Sequence, residues 1–176
     1  MFKKKIEAVD LHADIFRLWK KEWLLLTSGN FERSDFNSMT VAWGSMGVMW
    51  NKIFIQIVVR PTRYTDEFLK KYDSFTLTAF PEKYKEKLKY LGTVSGRDED
   101  KVKVAGLTAV SSKTVSSPGF EESELTIECR KIYNSRFLAE DFIDPAIENC
   151  YSANDYHNIY FGEVLYLEGT EKFSKN

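Results

Sequence analysis

Ile53-Phe-Ile-Gln-Ile-Val-Val59 runs directly into Arg60-Pro-Thr-Arg-Tyr-Thr65. The first seven residues are apolar but for Gln56, mostly β-branched or aromatic, and free of breakers, which predicts a buried strand. Pro61 has no N–H to give a sheet ladder, so the strand ends at Arg60. Thr65, Asp66 and Glu67 have the composition of a helix start, a hydroxyl followed by two acids. Phe68, Leu69 and Tyr72 then recur at helical spacing and predict a short helix over 66–72. An anion would suit this junction. The first N–H groups of a helix are unpaired, its dipole is positive there, and guanidinium forks match phosphate oxygens. The residues alone leave a second reading open, in which Thr65 only caps its helix and the arginines pair with Asp66, Glu67 or other surface acids.

Outward from this junction, strands are expected at 21–27, 38–44, 74–80, 124–134 and 158–168, with Ser28-Gly29-Asn30 as a turn. Gly44 and Gly47 loosen the backbone before Val48-Met49-Trp50. Residues 74–80 alternate like a half-exposed strand, and 82–91 reads as a second helix with Tyr84, Leu88 and Leu91 on one side. The charged segment 95–105 is expected to be a surface loop, and the lysines at 83, 85, 87 and 89 a solvated helix face. Strands dominate, and the regular strand–helix alternation of a doubly wound parallel sheet is missing. The expected class is therefore mainly β, an antiparallel barrel with short helices.

The chain's 176 residues suit one domain over 1–176. A formal net charge of −1 gives no reason to expect nucleic acid or an anionic membrane surface as partner. No apolar run reaches the roughly 18 residues of a membrane helix, and the lysines of MFKKKIEAVD precede no signal-peptide core. Cys129 and Cys150 show no CxxC spacing, so buried, reduced thiols and a cytoplasmic setting are expected. With His12 and His157 the only histidines, no metal site is expected. The fingerprints of a Rossmann site, a P-loop and a nucleophile elbow are all absent.

The second informative stretch is Asn37-Ser-Met-Thr-Val-Ala-Trp-Gly44. Small residues at Ala42 and Gly44, beside Met39 and Trp43, would let a flat ring approach the backbone. An ordinary core strand is the other reading. The arginine segment follows on the next expected strand, so a phosphate held there could lay a ring over 37–44. His157 by itself reads as a structural or solvent-facing histidine.

Together, Asn37–Gly44 and Arg60–Thr65 resemble the flavin reductase-like, FMN-binding split-barrel family, in particular its flavoredoxin-like branch. An N-x-M-T strand followed by R-P-[ST]-R-Y-T is the shared pattern, and Tyr156-His-Asn158 with Phe161-Gly-Glu-Val164 resembles the family's late strand. The likeness spans roughly residues 20–168; 92–106 and 112–124 match nothing in it. It implies a Greek-key split barrel that forms a homodimer and binds FMN. Met39, Thr40, Val41, Ala42 and Trp43 would lie along the ring, and Arg60, Thr62, Arg63, Tyr64 and Thr65 would hold the phosphate end. His157 would stand near the flavin or the nicotinamide path as the one catalytic candidate. The implied activity is hydride transfer from NADH or NADPH to bound flavin, then to a small-molecule flavin or another redox acceptor. An electron carrier reduced by a protein donor and a cofactor-free binding module are the alternatives.

Overall fold

Residues 53–59 form the strand that their composition predicts, and the rest of the chain curls around it. The structure is a computed structural model describing residues 2–174; Met1, Lys175 and Asn176, which the 1–176 domain expectation includes, lie outside the described residues. Among the described residues ten strands occur in chain order: β1 Lys4–Lys5, β2 Leu24–Asn30, β3 Asp35–Val41, β4 Gly44–Met49, β5 Lys52–Val59, β6 Ser74–Ala79, β7 Ala109–Val110, β8 Gly119–Phe120, β9 Leu125–Arg136 and β10 Asn158–Gly169. The helices are short: α1 Ile15–Arg17, α2 Tyr64–Lys71, α3 Lys85–Thr93 and α4 Lys101–Val104. The 8-stranded antiparallel sheet runs β3-β2-β6-β9-β10-β5-β4, with β1 added beside β10.

The mainly β expectation holds, and side-chain alternation explains the core. Leu24 and Leu26, Met39 and Val41, Ile55, Ile57 and Val59, Phe75 and Leu77, and Leu125 and Ile127 all point to one interior, as a period of two requires. On the opposite face Leu25 packs with Leu88 and Leu91 of α3, Val102 of α4, and Phe120.

Two features curl the sheet. β10 slips register against β9 at Phe161/Gly162 and again at Val164/Tyr166, and such bulges bend and twist a strand. Gly162 also sits where a Cβ would fall 2.5 Å from the Phe75 ring and 2.7 Å from Cys129 Cβ. The strands around it can close on Phe75 only because that carbon is missing.

Several expectations change. The single strand at 38–44 is two strands, and β3 and β4 stand at opposite ends of the sheet path. β4 and β5 form a hairpin whose turn residues, Trp50 and Asn51, both have positive φ, the geometry of a type I′ turn. The glycines at 44 and 47 thus lie within a paired strand rather than loosening the chain. The strand expected at 21–27 begins three residues later, at Leu24, because Leu18–Glu22 form a π-helical turn, and it runs on through Ser28-Gly29-Asn30, which pair with β3 rather than forming a turn. Residues 74–79 are buried on both faces, since segment 111–118 covers their polar side. There Ser74 Oγ meets Ser117 Oγ at 3.1 Å, and Thr76 Oγ1 donates to the Pro118 carbonyl at 2.6 Å. The charged segment 95–105 contains α4 and is anchored by Lys101, which is buried. Cys150 is exposed rather than buried, because it lies on an outer strap, while Cys129 is fully enclosed.

Candidate functional site

The carboxyl end of β5 and the chain leaving β3 meet across the open seam of the sheet. A cleft of about 240 Å³ forms there. From the β3 side it is lined by Met39, Thr40, Val41, Ala42 and Trp43, and from the β5 side by Val58, Arg60, Arg63 and His157. Met39 and Arg63 also line a second, smaller cleft of about 140 Å³, so the two hollows adjoin. The smaller one brings together Thr62, Tyr64 and Thr65 with Ser95, Gly96, Arg97 and Lys101. One hollow is therefore largely apolar with a half-exposed indole, and the next is lined by cations and hydroxyls.

Helix α2 positions the polar end. Its N-cap is Arg63, in extended conformation and with no side-chain cap, so the helix begins one residue before Thr65. Thr65 is not the cap expected from composition. Its hydroxyl accepts from Asn37 Nδ2 at 2.7 Å, which ties α2 to β3. The N–H groups of Tyr64 and Thr65 lie in the first turn, where no intrahelical acceptor exists. Asp66 is buried and turned the other way, accepting from Tyr160 Oη at 2.8 Å and Asn158 Nδ2 at 2.9 Å and pairing with Lys70. Glu67 pairs with Arg97.

The two arginines part company. Arg63 donates to the Gly92 carbonyl at 2.9 Å and faces both hollows. Arg60 pairs with Asp155, donates to the Cys150 carbonyl and lies 5.1 Å over the Tyr151 ring. It lines the larger hollow only, so the geometry sets it beside the ring-shaped space and away from the polar end. Gly44 does not leave room for a flat ligand, because the Trp19 indole fills the space a Cβ would take, at 2.4 Å.

Lys101, Arg97 and Asn37 also line the smaller hollow, although the sequence motifs assign none of them to a ligand. Lys101 is buried and donates to the Leu91 and Val94 carbonyls at 2.9 Å each. Burial, with Arg63 nearby, lowers its pKa to about 8. Its sequence neighbourhood, Arg97-Asp-Glu-Asp-Lys101, mixes both signs of charge and looks like solvated surface, so only the tertiary placement reveals it.

His157 is the residue that composition left without a role. It borders the larger hollow, its ring centroid 5.2 Å from that of Trp43. Burial and the Arg60 charge, with a smaller effect of Arg63 and opposition from Asp155, lower its pKa to about 4. The ring is therefore neutral near pH 7. Among the described residues no group of His, Cys, Asp and Glu is clustered to hold a metal ion.

The profile of the flavin reductase like domain matches residues 21–174. The chain belongs to the flavin reductase-like family. Its fold is the split barrel of that family, an antiparallel sheet with an open seam. Among flavin reductase-like structures, flavoredoxin of Desulfovibrio vulgaris (Miyazaki F) superposes with a TM-score of 0.67 at 22% identity, covering 88% of this chain and 72% of that one. The FMN-binding domain of a flavin reductases-like enzyme from Shewanella baltica OS155 gives a TM-score of 0.69 at 15% identity, covering 96% and 77%. The protein YddH of Escherichia coli (strain K12), described as uncharacterized, is 29% identical over 158 residues, which is 89% of this chain and 75% of that protein. No helix among the described residues is long and apolar enough to cross a membrane.

Proposed function

We propose that the chain is a single FMN-binding domain that oxidises NADH or NADPH. The observation that carries this reading is the junction, across Met39 and Arg63, of a mostly apolar hollow edged by Arg60 and Arg63 with a cationic one. An amphipathic ligand with a flat apolar ring and an anionic tail fits that pairing, and a metal or a plain sugar does not. Met39, Thr40, Val41, Ala42 and Trp43 line the ring end, and Thr62, Arg63, Tyr64 and Thr65, with Lys101 and Arg97, hold the phosphate. Arg60 belongs to the ring end in this assignment, held there by Asp155. When bound, the flavin supplies the two-electron chemistry, and the protein supplies position and electrostatics. Half-exposed Trp43 leaves the larger hollow open on one side, where a nicotinamide can stack. His157 is the one polar side chain there that is neutral near pH 7 and free to donate.

The likeness to flavoredoxin favours a second reading, a carrier that takes its electrons from a protein donor. Homodimerisation is part of the proposal too, since Val48, Met49 and Trp50 expose apolar surface on the β4–β5 hairpin. Both cysteines are unpaired, which suits a reducing, cytoplasmic setting.

The test begins with parallel titrations of FMN and riboflavin into the wild type and Arg63→Ala. A charge-assisted hydrogen bond is worth about 1.5–3 kcal/mol, so the variant is expected to lose one to two decades of FMN affinity and little riboflavin affinity. Anaerobic NADH or NADPH is then added to the FMN-loaded wild type. Bleaching of the flavin band supports the reductase, and a band that persists turns the proposal to the carrier. A chain that takes up neither flavin is the cofactor-free module, and equal losses for both ligands make Arg63 structural.

A further inference from the structure

Between β9 and β10 the chain leaves the sheet as a strap over 137–157, closed at its base where Phe137 N donates to the His157 carbonyl at 3.1 Å. Most of its outer residues are exposed, yet Tyr151 turns inward and is buried. Its ring stacks on Phe142 with centroids 5.7 Å apart, lies 4.8 Å from that of Tyr156 and meets His157 edge-on at 5.4 Å. Arg60 covers the Tyr151 ring and pairs with Asp155 on the same strap. The Tyr151 hydroxyl reaches His157 Nδ1 at 2.8 Å.

The donor in that bond follows from counting protons. A neutral imidazole carries one N–H, on either nitrogen. If Nδ1 bore it, it would donate to the phenolic oxygen, and the hydroxyl proton of a buried tyrosine would lack an acceptor; among the described residues Tyr151 Oη has no other partner. The hydroxyl therefore donates to Nδ1, and the imidazole proton sits on Nε2. Nε2 makes no hydrogen bond to the described residues and is not enclosed, and the ring borders the larger hollow. Burial keeps both partners in the required state: it lowers the histidine pKa to about 4 and raises that of the tyrosine.

We propose that Tyr151 is a positioning residue that locks His157 as the Nε2–H tautomer, so that the ring cleft presents one fixed N–H donor to a carbonyl oxygen or unprotonated nitrogen of the bound flavin. The acceptor rests on the FMN reading above, and the tautomer does not. A histidine free to exchange tautomers would offer a donor in part of the population and an acceptor in the rest. The lone pair of an Nδ1–H ring would repel the same ligand oxygen. The strap thus serves the site through an atom that never touches the ligand.

The chain has only two histidines, and His12 is exposed, so ¹⁵N-labelled full-length protein gives an imidazole NMR spectrum that His12→Gln assigns. Before any ligand is added, wild-type His157 should show protonated Nε2 and bare Nδ1 throughout pH 5.5–8. Tyr151→Phe keeps the ring packing and removes only the hydroxyl; it should yield a mixed spectrum with a protonated Nδ1 signal. Added FMN should then shift the wild-type Nε2–H resonance. A wild type with protonated Nδ1, or a Tyr151→Phe spectrum identical to the wild type, overturns the lock. FMN that binds without moving the Nε2–H signal overturns the named acceptor. If the protein takes up no FMN, the flavin reading and that acceptor fall together, and the tautomer is still decided by the ligand-free spectrum. The wild-type spectrum carries this decision even if Tyr151→Phe does not fold.

Discussion

In the proposed site Lys101 would join a fold requirement to a ligand requirement in one side chain. Its ammonium closes off the Leu91 and Val94 carbonyls, and with three N–H donors it keeps one for the small cleft. The folded chain releases this proton near pH 8, whereas an unfolded lysine holds it to about 10.5. The cost of burying the ammonium therefore fades as pH rises through that window, and on this account stability increases with pH there. A phosphate dianion has the opposite preference, because it favours the charged lysine. FMN affinity is accordingly expected to fall above about pH 8 by up to roughly a decade per pH unit, since binding must take up a proton. Riboflavin should show no such slope, and Lys101→Met should flatten the FMN curve. Calorimetric titrations from pH 7 to 9.5 read all three. His157 makes a matching statement on the acid side. Its folded pKa of about 4 lies below the ordinary 6.5, so the stability tied to its neutral form is present above 6.5 and drains away as pH falls toward 4.

At the scale of elements, α2 shows why local composition misplaced a helix start. The run Thr65-Asp-Glu67 has capping chemistry, yet each of its three polar groups is recruited across space. Thr65 goes to Asn37 on β3, Asp66 to Tyr160 and Asn158 on β10, and Glu67 to Arg97. The helix then starts at Tyr64 without a side-chain cap, because pinning to two strands outweighs about 1 kcal/mol of capping. Asp66 is the tightest of these pins. Asp66→Ala leaves a buried tyrosine hydroxyl and an amide without their acceptor, and each such group costs about 1–3 kcal/mol. The expected loss is about 3 kcal/mol in urea unfolding, with Asp66→Asn losing less because it keeps one acceptor oxygen. A loss under 1 kcal/mol would mean that β10 does not hold the helix. Strand β4 teaches a related lesson. Its two glycines are expected to loosen the backbone, but its partner β5 supplies the ladder and Trp19 fills the space beside Gly44.

For the whole molecule, closure of the sheet decides where the site is. β3 and β5 are far apart in the strand order, so the simple idea of a ligand lying across two neighbouring strands does not describe this protein. The ends of those strands meet only because β9 and β10 bend the sheet until its edges face each other. Gly162 lies at one of the bends, with Phe75 and Cys129 pressed against it. Gly162→Ala would force a fully buried phenyl ring and a backbone-proximal Cβ to move. Overpacking of that kind typically costs about 1–3 kcal/mol, and the change should also open the seam. The expected outcome is a lowered thermal midpoint together with weakened FMN uptake. Gly47→Ala, whose nearest neighbour is the Phe54 ring at 3.3 Å on the exposed hairpin, should change both far less. Equal effects for the two would leave the bend without special weight.

The sequence by itself determined the class of the fold and most of its elements. β5, β6, β9, β10 and α3 follow from alternation, β-branched runs and helical spacing, because those patterns depend on which face of a strand or helix meets oil. It also marked Asn37–Gly44 and Arg60–Thr65 as segments that belong together. Tertiary structure alone decided that Arg60 borders only the larger hollow while Arg63 faces both, that Lys101 is buried in a segment with the composition of a surface loop, and that Tyr151 reaches His157. Arg60 depends on Asp155, 95 residues away in the chain, whereas Lys101 and Tyr151 find their partners within ten residues, through segments that fold back on themselves at no helical or strand spacing. A charged or hydroxylated side chain has several nearly equal local options, and the choice among them is made by whichever group the folded chain brings within hydrogen-bonding reach.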